Sequence, residues 1–284
     1  MIAVTGATGK LGRHVIEGLL KKVPAAEIVA AVRNPEKAAD LAALGVQVRQ
    51  ADYSDPETLT SAFAGAEKLL LISGNEVGQR VAQHQAVIDA SKGAGVTLIA
   101  YTSILRADTS PLALAAEHKA TEENIQASGL PFVFLRNGWY FENNTEQLDA
   151  ALEHGAILGV SGEGRYASAP RGDYAAAAVA VLTGSGHENK TYELAGDTAY
   201  TLAGLAAEVS KQSGKPVVYS NLSAEEYKNI LLGFGLPAAL VDVFVDSGLG
   251  AAQGEWDSLS REFHSLIGRP TGTLTDAVRF ALKS

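Results

Sequence analysis

Three glycines within seven residues, set directly behind a short apolar run, constrain this chain more than any other feature. Ile2–Thr5 reads as a β-strand and passes without a break into Thr5-Gly6-Ala7-Thr8-Gly9-Lys10-Leu11-Gly12. Leu11, Val15, Leu19 and Leu20 then recur at helical spacing, so the glycines occupy a strand-to-helix turn. Glycine there permits a tight turn, lets backbone approach a pyrophosphate, and leaves room for the helix to pack on the strand. The free N–H groups and the positive dipole end of that helix then hold an anion. The whole stretch Gly6, Ala7, Thr8, Gly9, Lys10, Leu11 and Gly12 is therefore the candidate phosphate cradle. Its spacing is G-x-x-G-x-x-G, and the bland alternative is a tight turn that binds nothing.

The same alternation continues through residue 136. Ile28–Val32, Val46–Gln50, Lys68–Ile72, Leu98–Tyr101 and Phe132–Leu135 are apolar at consecutive positions, as parallel strands covered on both faces are. Helical stretches separate them. Asp55-Pro56 is a helix start, and Gly129-Leu130-Pro131 is a helix stop before the sixth strand. Repeated right-handed β-α-β units give an α/β fold, a doubly wound parallel (Rossmann) sheet. Beyond residue 140 the rhythm loosens. Gly155–Arg171 is polar, Tyr174–Leu182 is an alanine-rich helix, and Thr191–Ala195 is one further strand. The helices expected after it are Leu202–Gln212, Ala224–Leu232, Ala238–Asp246, Ser258–Ile267 and Leu274–Leu282. The expected division is a nucleotide domain at 1–140 and a smaller, mainly helical substrate lobe at 141–284, with segments free to return to the first domain.

Composition narrows the function. With 23 Lys and Arg against 32 Asp and Glu, the formal charge of −9 leaves no surplus to displace counterions from nucleic acid. No cysteine is present, which removes disulfides, thiolate metal sites and a cysteine nucleophile. The six histidines lack metal-ligand spacing, so no metal is expected. No secretory leader and no apolar run of about 20 residues is visible. The expectation is a soluble cytoplasmic protein without nucleic-acid or membrane partners. A homodimer is left open.

At the end of the second strand, where an Asp or Glu would grip the ribose of NAD, the chain has Arg33-Asn34-Pro35. A planar guanidinium suits the 2′-phosphate of NADP and stacks on adenine, which favours NADP(H) over NAD(H). A surface ion pair is the alternative. Asp52, ahead of Tyr53 after the third strand, is placed to accept the adenine amino group or to cap the next helix.

These residues resemble a known family. Thr-Gly-Ala-Thr-Gly-x-Leu-Gly, Val-Arg-Asn-Pro at 32–35 and Ala-Asp-Tyr at 51–53 are similar to the NmrA-like atypical short-chain dehydrogenases. Lys68–Ser73, Glu76-Val77-Gly78-Gln79-Arg80, Ile99–Ser103, Leu135–Asn143 and Tyr192–Asp197 continue the likeness. Within that group the chain looks like the bacterial quinone reductases of type 2 and the triphenylmethane dye reductases. The likeness weakens after about residue 225. It implies that Ser73, Gly74 and Asn75 pass beside the nicotinamide, and that Asn137, Gly138, Trp139 and Tyr140 surround the nicotinamide and the acceptor. Independently of the resemblance, Trp139-Tyr140-Phe141 at the carboxyl end of a parallel strand offers flat aromatic walls to a flat ligand, or a hydrophobic plug.

One departure is informative. Many short-chain dehydrogenases carry Tyr-x-x-x-Lys on the fifth helix. Counting back from Gly129-Leu130-Pro131 puts Leu114 and His118 in those slots, with Lys119 about 100° around the helix. Ketone reduction needs the lost proton donor. A quinone gives a stabilised phenolate that solvent can protonate, and a cationic dye needs no proton. The expected function is thus direct hydride transfer from NADPH to a small aromatic acceptor, a quinone, without flavin or metal. The alternatives are a dye reductase and a non-catalytic NADP(H) sensor. Candidate catalytic residues are His118, Asn137 and Tyr140. Candidate acceptor-wall residues are Tyr140, Phe141, Tyr174, Phe244 and Trp256, with Gly248–Gly254 read as the hinge of a lid carrying Trp256.

Overall fold

Four buried residues open the chain as β1 (Ile2–Thr5), and the computed structural model, which describes residues 1–283, builds its main sheet outward from them. The first half runs α1 (Lys10–Leu19), β2 (Ile28–Val32), α2 (Ala39–Ala43), β3 (Gln47–Gln50), α3 (Pro56–Ala62), β4 (Lys68–Leu71), α4 (Arg80–Gly93), β5 (Leu98–Ile104), α5 (Ala113–Ser128) and β6 (Phe132–Asn137). It continues with α6 (Glu142–Thr145), α7 (Leu148–His154), β7 (Ala156–Gly159), β8 (Arg165–Tyr166), α8 (Arg171–Thr183), β9 (Lys190–Leu194) and β10 (Tyr200–Thr201). The last elements are α9 (Leu202–Ser213), β11 (Val218–Asn221), α10 (Ala224–Gly233), α11 (Ala238–Ala252), α12 (Glu262–Ile267) and α13 (Leu274–Ala281).

The chain forms two compact units. The first holds residues 1–108, 116–137 and 171–193, and the second holds 109–115, 138–170 and everything from Leu194 on. The seven-stranded sheet has the order β3-β2-β1-β4-β5-β6-β9, with β1 to β6 paired in parallel. This is the doubly wound Rossmann-type α/β sheet that the apolar runs predict. Strand order reverses between β1 and β4, and their carboxyl ends lead into the glycine loop and into Ser73–Asn75. Ligands of open α/β sheets bind at such a switch point. Asp55 caps α3 by accepting from Glu57 N–H, with Pro56 behind it.

Helix α8 belongs to the first unit because its small side chains let it approach α1 closely. A Cβ on Gly18 would lie 2.8 Å from Val179 Cγ2. Strand β5 runs three residues past the expected Tyr101. Its polar extension is satisfied: Thr102 Oγ1 accepts from Ser73 N–H at 2.9 Å, and Ser103 Oγ donates to Glu122 at 2.6 Å.

The second unit is mainly helical, as expected, with α6, α7 and α9 to α13. It also contains two small sheets of its own, parallel β7–β11 and antiparallel β8–β10, which were not expected. Strands of two to four residues are too short to register as periodic pattern. Moreover, α11 extends through Ala252, so most of the expected Gly248–Gly254 hinge is helix. Its glycines serve close packing: a Cβ would lie 2.6 Å from Val160 at Gly248 and 2.5 Å from Leu112 at Gly250.

Candidate active site

In the first unit, a cleft of about 430 Å³ opens at the switch point. Gly6, Thr8, Gly9, Lys10, Leu11 and Gly12 line one side, and Arg33, Asp52, Tyr53, Ser73, Gly74 and Asn75 complete it. Twelve of the expected cofactor residues thus gather into one concavity; Ala7 is fully buried beneath the loop, and Asn137, Gly138, Trp139 and Tyr140 do not line it. Gly6 has φ +59° and accepts the Gly9 N–H at 2.9 Å. A Cβ on Gly12 would stand 2.3 Å from Gly6 O and 2.7 Å from Ala7 Cα, so only glycine lets α1 start this close to the loop. No side chain caps α1 and no acid stands in its first turn. That leaves its N-terminal N–H groups and dipole facing the cleft.

Six further lining residues lay outside the expected site: Asn34, Lys37, Ala51, Ile72, Glu76 and Gln83. Arg33 Nη1 donates to Glu76 Oε1 at 3.1 Å, and Gln83 donates to Glu76 Oε2 at 2.8 Å. Lys37 stands one short turn beyond Arg33, a proximity that a closer reading of Arg33–Lys37 would have caught. Asp52 accepts from Ser54 N–H at 2.9 Å, which spends one carboxylate oxygen on its own turn; the cap of α3 is Asp55. The Tyr53 hydroxyl reaches Thr5 Oγ1 at 2.6 Å and Ile72 O at 3.0 Å, so the ring faces the cleft while the phenol is anchored in its floor. Burial pushes that phenol well above its usual range.

The loop after β4 is clamped from below. His84 Nε2 accepts the Gly74 N–H at 3.0 Å and Arg80 Nε donates to Gly74 O at 2.8 Å. Glu117 joins Arg80 at 2.9 Å and accepts the Gly78 N–H at 2.8 Å. Gly74 therefore offers its surface to a ligand, since both its amide groups are engaged. Thr121 donates to Glu117 O, so the 3.0 Å contact between His84 Nδ1 and Thr121 Oγ1 makes Nδ1 the protonated nitrogen. Burial, helped by the Arg80 charge, drops the His84 pKa to about 3. This brace was not foreseen; the signal was Arg80 in the Glu-Val-Gly-Gln-Arg run with a histidine one helical turn on.

Leu114 and His118 do share one face of α5, but His118 is 4% exposed and its Nδ1 lies 2.7 Å from the Tyr101 hydroxyl. Burial, then the Arg80 charge, holds its pKa well below the usual range. A neutral, buried imidazole that does not line the cleft is a poor proton donor, which counts against His118 as a candidate catalytic residue. Asn137 is buried at the end of β6, where its carbonyl accepts the Leu105 N–H.

The second unit has its own cavity, of about 340 Å³. Trp139, Tyr166, Tyr227, Phe234 and Phe244 give it aromatic walls, Asn143, Asn144, Gln147 and His154 give polar groups, and no Asp, Glu, Lys or Arg lines it. Of the five expected wall residues, Phe244 lines it and Tyr140 does not; Trp139, expected around the nicotinamide and the acceptor, lines it too. Gly138 donates its N–H to Leu194 O, and Tyr140 is half-buried and bridged to Ala169. Three other wall residues are corrected. Phe141 is buried and stacks on Tyr200 with centroids 5.5 Å apart. Tyr174 is buried in α8 of the first unit. Trp256 is 3% exposed, donates to Ser247 O at 3.0 Å and packs 5.0 Å from Trp139, so it is core and no lid. Apolar burial decided each of the three positions.

With the geometry in place, comparison with known proteins is informative. The model of the NAD(P)H-binding family matches residues 6–185. The chain belongs to the NAD(P)H-binding family. Quinone oxidoreductase 2 of Escherichia coli K12 is 57% identical over 278 residues, 98% of this chain and 97% of that protein. The crystal structure of the E. coli quinone oxidoreductase with NADPH superposes with a TM-score of 0.97 at 56% identity, covering 99% of this chain and all of that one. The Citrobacter sp. triphenylmethane reductase complexed with NADP(H) gives 0.95 at 44% identity, again over 99% of this chain and all of that one. A mutant NmrA at 17% identity and TM-score 0.73, covering 100% of this chain and 91% of that one, shares the fold. Among the described residues, no helix of this family member is long and apolar enough to cross a membrane.

Proposed function

We propose that this protein is an NADPH-dependent reductase that delivers hydride directly to a quinone. The observation that carries the reading is the uncharged, aromatic-walled cavity of the second unit. A volume of about 340 Å³ suits a small ring system. Walls without a formal charge disfavour phosphorylated or carboxylated acceptors and accept a neutral, flat one. The kinship with quinone oxidoreductase 2 supports the same acceptor class.

In the first unit, Gly6–Gly12 and the uncapped start of α1 suit the pyrophosphate, Arg33 with Lys37 the 2′-phosphate, and Ser73–Asn75 the nicotinamide end. NADPH, when bound, supplies the hydride. The chain contributes orientation and a dry pocket. Helix α5 supplies no proton, since Leu114 has none to give and His118 is buried and neutral. A quinone tolerates this because its reduced ring is released as a phenolate that water protonates. The 44% identity to a triphenylmethane reductase favours cationic dyes as a second acceptor class. Aromatic faces such as Trp139 and Tyr227 would meet the dye charge. Loss of NADPH absorbance with benzoquinones, naphthoquinones and triphenylmethane dyes tests the proposal. Turnover of quinones is expected; tight NADPH binding with no turnover of any acceptor would make the protein a sensor instead.

A further inference from the structure

One wall of the second unit's cavity continues past its rim. Residues 232–240 read Leu-Gly-Phe-Gly-Leu-Pro-Ala-Ala-Leu, a run without a polar side chain that joins the end of α10 to the start of α11. A run of this composition is normally buried. Here Leu232, Phe234 and Leu240 are 39%, 67% and 43% exposed. Phe234 belongs to cavity and surface together: it lines the cavity yet is two-thirds exposed, which puts it at the mouth. Leu231, one residue before the run, is buried and lines the wall within. An apolar path therefore leads from the cavity over Phe234 to open surface. Gly235, at φ +80°, supplies the turn that leaves Phe234 standing out.

We propose that this strip takes the apolar side chain of a tailed quinone, with the ring in the cavity and a prenyl or alkyl chain leaving over Phe234 towards Leu232 and Leu240. The inference rests on the quinone reading above and specifies which quinones that site prefers. Continuity selects this occupant. The strip starts at the cavity wall, and it carries no charge with which to recognise a peptide or an anionic surface. Exposed apolar area beside a ligand cavity gains free energy when a chain covers it.

The test compares kcat/KM, with NADPH as donor, for one benzoquinone head bearing no chain, one prenyl unit or a decyl chain, all below their micellar concentrations. The wild-type protein should favour the decyl compound over the bare head by about ten-fold or more, chiefly through KM. Phe234→Ser and Leu240→Ser should bring that ratio towards one, with thermal midpoints held. Leu259→Ser, at a residue 94% exposed and off the strip, should keep the wild-type ratio. A wild-type rate indifferent to the chain, or a ratio unmoved by both strip variants, overturns the inference and leaves the quinone reading standing. No turnover of any quinone removes the reading itself. If the strip variants convert a dimer into monomers on sedimentation while the ratio stays put, the strip is an interface between copies and the inference fails.

Discussion

Two of the loop glycines, Gly6 and Gly12, are required for different reasons. Gly6 holds a left-handed φ, and Gly12 lies where any Cβ would collide with backbone. Gly12→Ala should therefore push α1 off the loop, costing about 1–3 kcal/mol as an overpacked contact does. NADPH titration and a thermal melt should show both losses together. The charge on the opposite wall can be read separately. Arg33→Ala should weaken NADPH by roughly 1.5–3 kcal/mol, the worth of a charge-assisted hydrogen bond, and barely change NADH. Because Glu76 lies 3.1 Å from that guanidinium, Glu76→Gln should act in the opposite direction and tighten NADPH. Fluorescence titration of both cofactors decides: equal losses for NADPH and NADH in Arg33→Ala would remove Arg33 from the 2′-phosphate site. Arg33 was legible from its position after β2, whereas Glu76, 43 residues away, was not; only the sheet order brings them together.

Elements carry the features that depend on burial, and there the sequence misleads most. Gly248 and Gly250 look like a hinge but are small because α11 is packed tightly against Val160 and Leu112. Trp256, read as a lid, fills the same core. Trp256→Ala should accordingly cost about 3–5 kcal/mol, as large-to-small core changes do, and calorimetry should show it before any kinetic assay does. The clamp of α4 and α5 on the loop after β4 makes a pH prediction. His84 is held neutral, with a folded pKa near 3 against an ordinary value of 6.5. Between those values the unfolded chain binds a proton that the folded one refuses. Its contribution is full above about pH 6.5 and is lost as pH falls, at up to about 1.4 kcal/mol per pH unit. Buried His118, also depressed, acts with the same sign. Proton uptake on acid unfolding between pH 6 and pH 4 should drop by close to one in His84→Gln; an unchanged uptake would show that His84 is not neutral in the fold.

At the scale of the molecule, the sheet was legible because parallel strands buried on both faces must be apolar at consecutive positions. The division of the chain was harder. The expected boundary at residue 140 left segments free to return to the first unit but did not single out α8, because an alanine-rich helix does not reveal which helix it packs against. One tie joins all three of the first unit's segments: Arg136, from the Arg-Asn-Gly-Trp-Tyr run. It bonds Glu122 of α5 at 2.7 Å, Asp108 after β5 at 2.8 Å and Glu193 of β9 at 2.9 Å. Glu122 is 5% exposed and also accepts from Ser103. Burial opposes the guanidinium charge, yet the carboxylates around it raise its pKa above the usual range. A buried pair adds little over apolar residues of the same volume, but breaking one side costs about 3–5 kcal/mol because a charge is stranded. Arg136→Met should lower stability by that amount. Adding Glu122→Gln should recover part of it, since the stranded carboxylate is gone, leaving a coupling energy between the sites of about 0.5–3 kcal/mol. Denaturant unfolding of the two single variants and the double variant measures the cycle. Simple additivity would mean that Arg136 holds the unit together through Asp108 and Glu193 alone.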